Sequence, residues 1–329
     1  MTVDPAPSPA RRKPRWTVVA WLLVTPGVLW ALVRFFDLDR GPLVQALAFT
    51  PYACGASLVP LLLAAVLRRR GPVLVAALTT IALAATVAPR ALPSPAPEVD
   101  GPALRVLTAN LLAGSADPAL LVALVRAERV DVLAVQELTP QAATALDGLG
   151  LADLLPHRQT HPVEGTTGSG LYSRHPMTDG GIRHLRGAWG FTQAYATLAV
   201  AGSPPIRVES VHPAAPYAVD QVGHWRADLA AQPPATPRGP LSILAGDFNA
   251  TLDHSPLRAL IDTGYTDAAA AVGAGLVGTW GPYDGDLIPP VTIDHVLVDR
   301  RIAVRAVEVH GLARSDHRAV LADLRLPGR

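Results

Sequence analysis

The sequence predicts an α/β body of packed sheets flanked by helices, carried behind three transmembrane helices. Three observations lead there. The first hundred residues are dominated by long uncharged apolar runs. From Ala103 onward the runs shorten to strand length and are punctuated by turn residues. Many strand patterns accompany only a few helical ones, which favours layered sheets over a doubly wound Rossmann arrangement. Composition agrees: half of the 329 residues are hydrophobic and only 17% are charged, against roughly 25% charged in an average soluble domain. The mean hydropathy is +0.27.

The apolar runs are Thr17–Phe36, Leu43–Leu67 and Val73–Ala88. A helix needs about 20 apolar residues to cross the hydrocarbon core, so the first two are expected to span and the third is short. Together they define an expected three-helix membrane anchor over residues 16–89, preceded by a disordered basic tail over 1–15. Arg11, Arg12, Lys13 and Arg15 precede the first run, and Arg68, Arg69 and Arg70 separate the second from the third. Positive residues stay cytoplasmic, so an odd number of spans aims residue 101 onward out of the cytoplasm, in a multi-pass protein of the cell membrane. Residues 90–102 are Pro-rich and read as an extended, fairly stiff linker.

The body, 103–329, is read in order. Leu104–Leu112 and Asp131–Leu138 are expected buried strands, with a helix between them opened by Asp117-Pro118. A helix is expected over Gln141–Leu146. Strands follow at Gly170–Ser173, Thr192–Val200, Ile206–His212, Leu241–Phe248, Ile293–Val298, Val304–His310 and Ala319–Leu324, and helices at Val219–Ala231 and Pro256–Thr263. Residues 101–329 hold 18 of the 28 basic residues, 22 of the 27 acidic ones and all 10 histidines, a formal charge of −4. That balance disfavours duplex nucleic acid as a partner, because phosphate neutralisation needs a basic face. The single cysteine, Cys54, lies in an apolar run, so the body has neither a disulfide nor a cysteine nucleophile.

Chemistry is concentrated where apolar strands stop. Asn110 ends the first strand, Gln136-Glu137 the second and His212 another. The run LSILAGDFNA carries Asp247 and Asn249, two apart and so on one side of an extended chain. Asp294-His295 and Asp316-His317 open later strands. Such a set suits metal-assisted phosphoester hydrolysis, in which a hard cation takes a few oxygen ligands, a carboxylate activates water and a histidine serves the departing oxygen. No Cys/His run has zinc spacing, and no G-x-S-x-G elbow, Walker loop or G-x-G-x-x-G occurs.

The ordered series Asn110, Gln136-Glu137, His212, GDFN at 246–249, Ile293-Asp294-His295 and Ser315-Asp316-His317 resembles the endonuclease/exonuclease/phosphatase (DNase-I-like) superfamily over about Leu104–Leu324. The resemblance implies a four-layer sandwich of two packed sheets flanked by helices, a metal-dependent hydrolase, and Mg²⁺ (or Mn²⁺) as cofactor. It implies Glu137, Asn110 and Asp316 at the metal and His212 at the scissile phosphate. It also implies Asp247 on the attacking water with Asn249 as its partner, and His317 oriented by Asp294. Tyr217 and Trp280 are candidates for contacting substrate. His295 is expected to be structural, and the helix start at Ser255, beside His254, to offer an anion site.

The three spans, Pro-rich linker and catalytic body are also similar in plan to actinobacterial membrane proteins of the VanJ type, associated with teicoplanin resistance. That resemblance implies a substrate outside the membrane: a lipid-linked or small phosphate or pyrophosphate such as a cell-wall precursor, with the bilayer itself as a partner. The alternatives are an extracytoplasmic nuclease or phospholipid phosphodiesterase, and a membrane-anchored binding protein without turnover.

Overall fold

The computed structural model describes residues 14–185, 187, 190–281 and 287–329. The expected disordered tail, with Arg11, Arg12 and Lys13, lies outside the described residues except at its last two positions. The described chain opens with helices α1 (Pro14–Phe35), α2 (Leu43–Leu47), α3 (Thr50–Ala56), α4 (Leu58–Val66) and α5 (Arg70–Val87), the last prolonged by a 3₁₀ turn over Ala88–Ala91.

Three spans are not what forms. Two helices, Arg15–Phe35 and Arg70–Ala91, are long and apolar enough to cross a membrane by length and composition. The run expected to be a secure span, Leu43–Leu67, is broken into α2, α3 and α4. Pro51 at the start of α3 removes a backbone donor, and Val44, Leu47 and Thr50 are buried instead of facing outward. Thr50–Val66, its longest helical stretch, would reach only about 25 Å at about 1.5 Å per residue, short of a core of about 30 Å. The short third run is the one that grows, because Arg70-Gly71-Pro72 and the turn at 88–91 extend it. With two candidates instead of three, the parity that aimed the body outward is lost, and the multi-pass, outward-facing localisation falls with it.

Strands β1 (Ala103–Asn110), β2 (Val132–Gln136), β3 (His157–His161), β4 (Ser169–Ser173), β5 (Met177–His184), β6 (Thr192–Leu198), β7 (Ile206–Val211), β8 (Leu241–Asp247), β9 (Tyr265–Asp267), β10 (Asp294–Asp299), β11 (Ala303–Gly311) and β12 (Arg318–Arg325) form two sheets. One has the order β11-β12-β1-β2-β4-β3 and the other β5-β6-β7-β8-β10-β9. Each has one parallel pair at its heart, β1 with β2 and β7 with β8; the remaining pairings are antiparallel. The helices between and beyond them are α6 (Pro118–Ala127), α7 (Pro140–Gly148), α8 (Leu151–Leu154), α9 (Val222–Ala230), α10 (Ser255–Asp262) and α11 (Ala268–Ala271).

Alternation along the strands sorts side chains into layers. Leu104, Val106, Val132 and Ala134 of the first sheet meet Ala194, Ala196, Val208, Ile243 and Val296 of the second in the central core. The opposite face of the first sheet, with Leu107, Leu133 and Val135, is covered by Leu121 and Val125 of α6 and Leu146 of α7. The outer face of the second, with Val211, Leu244 and Leu297, is covered by Trp225 of α9 and Leu257 and Leu260 of α10. Each such aliphatic residue, fully buried, contributes about 1.5–3 kcal/mol. Helix, sheet, sheet and helix make the four-layer sandwich. Val44 of α2 joins the outer cluster, so the N-terminal helices are packed onto the body. The start of the Pro-rich linker is docked too: Arg90 is buried, and the Ser94 amide donates to the Ala271 carbonyl.

Candidate active site

The topology explains why polar residues at strand ends converge. In each parallel pair both strands finish at the same edge, and their antiparallel neighbours begin there. Asn110 closes β1, paired with Gln136, and Glu137 follows β2 at once. Asp247 closes β8 directly opposite Asp294, which opens β10. His212 follows β7, and His317 precedes β12. The first sheet therefore supplies Asn110, Glu137, Asp316 and His317, and the second supplies His212, Asp247, Asn249 and Asp294. A polar pin joins the sheets beneath them: Thr108 Oγ1 donates to Gln136 Oε1 (3.1 Å), Gln136 Nε2 donates to Ser210 Oγ (2.9 Å), and Ser210 Oγ donates to the Val135 carbonyl (3.0 Å).

Nine described non-glycine residues have positive φ, and two of them are candidate site residues. Glu137 (φ 57°) and Asn249 (φ 49°) are in the left-handed region, which costs non-glycine residues about 1–3 kcal/mol and tends to mark functional sites. Gly246 is obligatory for a different reason: a Cβ there would collide with the Val211 backbone of the neighbouring strand.

A hydrogen-bonded network ties the groups together. Asn110 Nδ2 donates to Glu137 Oε1 (3.1 Å) and to Asp247 Oδ2 (3.0 Å). The Ala113 amide donates to Glu137 Oε2, and the Asn249 amide to Asp247 Oδ1 at 2.7 Å. His317 Nδ1 lies 3.0 and 2.9 Å from the two oxygens of Asp294, and its Nε2 lies 3.6 Å from Asp247 Oδ2. His212 Nε2 is 3.7 Å from Asp247 and 3.9 Å from Glu137. Burial by itself pulls the His317 pKa down, but Asp294 and Asp247 outweigh it and push it up to about 10. Burial lowers His212 to about 3, helped by the charge on His317. Burial raises both Asp247 and Glu137 above the usual carboxylate range. The two histidines are thus pushed in opposite directions, His317 toward its charged form by its carboxylates and His212 toward its neutral form by burial.

A divalent metal ion fits this end of the sandwich. Among the described residues, ion pairs to Glu137, Asp247, Asp294 and Asp316 come only from His212 and His317. Asp316 Oδ1 is buried and accepts no hydrogen bond, and oxygen-rich donors suit a hard cation. Two groups of potential ligand atoms lie within 4.8 Å of one another among the described residues: Asp247, Asp294 and His317, all buried at this end of the sandwich, and the more exposed Glu128, Glu308 and His310.

A cleft of about 300 Å³ opens beside these groups, lined by Glu137, Thr166, Phe191, His212, Ala215, Tyr217, Asp247 and Asn249. Tyr217 stands at its mouth, 68% exposed. Trp280 is absent from the lining; its indole N–H donates to Asp316 Oδ2 at 2.9 Å. His295 is buried with its two ring nitrogens on Asp267 (2.7 Å) and the Ala250 carbonyl (2.9 Å). The helix start at Ser255 already holds an anion of the chain itself, the Asp39 carboxylate. Sequence reasoning missed Thr166 and Phe191, which carry no motif, and Thr279, and it gave Ser315 no role of its own. Ser315 Oγ donates to the Asn110 carbonyl and accepts from the His317 amide, and Thr279 Oγ1 accepts from the Asp294 amide.

A model of the "Endonuclease/Exonuclease/phosphatase family" matches residues 107–317. Similar solved structures include an endonuclease/exonuclease/phosphatase from Beutenbergia cavernae (23% identity, TM-score 0.53, 69% of this chain and 72% of that one). Truncated TDP2 of Caenorhabditis elegans is 15% identical, with TM-score 0.55 over 69% of this chain and 100% of that one. Sphingomyelinase C of Streptomyces griseocarneus is 18% identical, with TM-score 0.50 over 68% and 99%. No curated protein matches the chain. The family match stops short of the N-terminal helices, and only two of those helices have the length of a span. The similarity to VanJ-type membrane proteins therefore has no support, nor do the bilayer partner, the cell-wall substrate and the role in glycopeptide resistance drawn from it. The exclusion of nucleic acid also fails, since it rested on charge averaged over the body, and the matched family is named for its nucleases.

Proposed function

The chain belongs to the endonuclease/exonuclease/phosphatase family, and we propose that it is a phosphodiesterase that cleaves nucleic-acid backbones. It is a metal-dependent hydrolase of phosphoester bonds; the finer reading rests chiefly on His317, held as a cation between Asp294 and Asp247. A histidine whose Nδ1–H is engaged by a carboxylate keeps its Nε2–H aimed into the site, and here that proton serves the charge that develops on the phosphoryl group. We assign the ion to Glu137, with Asn110 and Asp316 beside it, which leaves His317 to act on the phosphoryl group; Mg²⁺ is the preferred species. Bound there, the metal would polarise a phosphoryl oxygen and stabilise negative charge.

Asp247, raised by burial, accepts the proton of the attacking water. The Asn249 amide fixes the direction of its carboxylate; the Asn249 side chain donates to the Pro213 carbonyl (3.1 Å). Neutral His212 donates a hydrogen bond to the phosphate. The lining carries the carboxylates of Glu137 and Asp247, which disfavours a doubly charged monoester relative to a singly charged diester. Phe191 and Tyr217 both line the cleft, and the exposed Tyr217 ring is suited to a stacked base.

The test is to incubate the purified full chain and its Glu137→Gln variant, with Mg²⁺ or Mn²⁺, against plasmid DNA, single-stranded RNA, bis-p-nitrophenyl phosphate, p-nitrophenyl phosphate and sphingomyelin. Strand cleavage by the wild type alone, with the monoester untouched, is expected. Release of phosphate from the monoester without strand cleavage would sink the reading.

A further inference from the structure

We infer that the N-terminal helices brace three loops around the cleft, and that Asp253, clamped between Arg34 and Arg90, is the positioning residue through which they hold Asp247 and Asn249. The inference rests on the hydrolase reading above and extends it to residues outside the matched family region.

The contacts fall on segments that lead straight into the site. Arg34 Nε, at the end of α1, lies 2.8 Å from Asp253 Oδ1; Arg90, just after α5, reaches both oxygens of Asp253 at 2.7 and 2.6 Å. The Asp253 side chain has no exposure and that of Arg90 is 7% exposed. Asp253 is four residues beyond Asn249. In the same loop, the Ser255 amide and hydroxyl donate to Asp39 (2.8 and 2.7 Å), and His254 bridges the Thr251 amide and the Val44 carbonyl, each at 2.8 Å. In the loop that carries Tyr217, Gln45 donates to the Pro216 carbonyl. In the segment that leads to β10, Tyr52 donates to the Pro290 carbonyl at 2.7 Å, four residues before Asp294.

Loops otherwise have the freedom to move on the scale that matters for catalysis. Here three of them share one helical support, fastened at its centre by a charge-assisted bidentate pair, the strongest and most directional kind of hydrogen bond available to side chains. Removing the clamp frees the chain between Asn249 and α10 without touching any group that meets the substrate. A displacement of about 1 Å at such a distance costs about 10²-fold in rate.

The experiment uses the full chain with Arg34→Gln, Arg90→Gln and Asp253→Asn, bis-p-nitrophenyl phosphate as substrate and saturating Mn²⁺, well below each variant's Tm. The expected result is a loss of about 10- to 100-fold in kcat with KM held within about twofold, and near-normal kcat for the conservative Arg34→Lys. Amide hydrogen exchange over 247–258 should quicken in the Gln and Asn variants and stay slow in Glu137→Gln, which is inactive for another reason. Variants that fold and keep wild-type kcat, or that loosen 247–258 without losing kcat, would overturn the inference. Should Arg90→Gln fail to fold, Arg34→Gln decides, because it leaves Asp253 paired with Arg90. A wild type inactive on every phosphodiester would defeat the functional reading, while the exchange data would still report whether the brace exists.

Discussion

Asp247 and Asp253 are six residues apart and both buried, yet their surroundings are opposites. Burial would raise the pKa of Asp253, but Arg90 and Arg34 overcome it and hold the carboxyl below its ordinary range. Among the described residues no guanidinium pairs with Asp247. Burial raises it, the charge on His317 counters only in part, and Asp294 and Glu137 add to the rise. One carboxylate is fully neutralised where the chain needs rigidity; the other is left short of positive charge where it needs reactivity. In the proposed site a cation at Glu137 would add positive charge near the second carboxylate, whereas the first is already paired.

The largest expected effect is at the reactive end. His317→Ala should lower kcat on a phosphodiester by about 10³-fold, within the range for loss of a general acid or base, while thermal unfolding shows the protein still folded. Metal removal comes next: chelation should abolish activity, and Mg²⁺ or Mn²⁺ restored at about 100 times its Kd should raise stability by about 2.7 kcal/mol, read as a Tm increase that Glu137→Gln reduces. At the neutralised end, Asp253→Asn leaves two buried guanidiniums short of an anion and should cost about 3–5 kcal/mol in denaturant unfolding.

Acid sharpens the contrast. Because the folded Asp253 has a lowered pKa, its stabilisation is present above the unfolded value of about 3.9 and is lost as pH falls through the lower folded value. The stability gap between wild type and Asp253→Asn should therefore be constant above about pH 5 and shrink below about pH 4. A gap that persists at low pH would break the comparison. The smallest effect is at Tyr217, 68% exposed at the cleft mouth: Tyr217→Ala should change stability by less than about 0.5 kcal/mol and show instead as a raised KM.

How much of this was readable depended on where each residue sits. Central strands β2, β8 and β10 are buried along their whole length and β1 from Val106 onward, so their apolar runs carry the signal and their ends mark the site. The strands that sequence reading missed, β3, β5 and β9, all lie at sheet edges. His157–His161 and Met177–His184 are largely polar and half exposed, so nothing in their pattern demands a sheet. Asp294 and His317 were legible as motif residues because each opens a strand. Arg34 and Asp253 were not, because they are 219 residues apart and only the packing of α1 on the body brings them together. The broken run at 43–67 failed for a related reason: uncharged length signals a span, but Val44 and Leu47 spend their hydrophobicity against the body.

The polar pin of Thr108, Gln136, Ser210 and the Val135 carbonyl has a consequence for how activity arises during folding. Purely apolar sheet faces can slide over one another at little cost, whereas a buried hydrogen-bonded chain accepts one alignment. Since each sheet brings about half of the reactive groups, a partly folded chain with one sheet formed cannot hydrolyse anything. Activity therefore depends on the two halves being locked in one register.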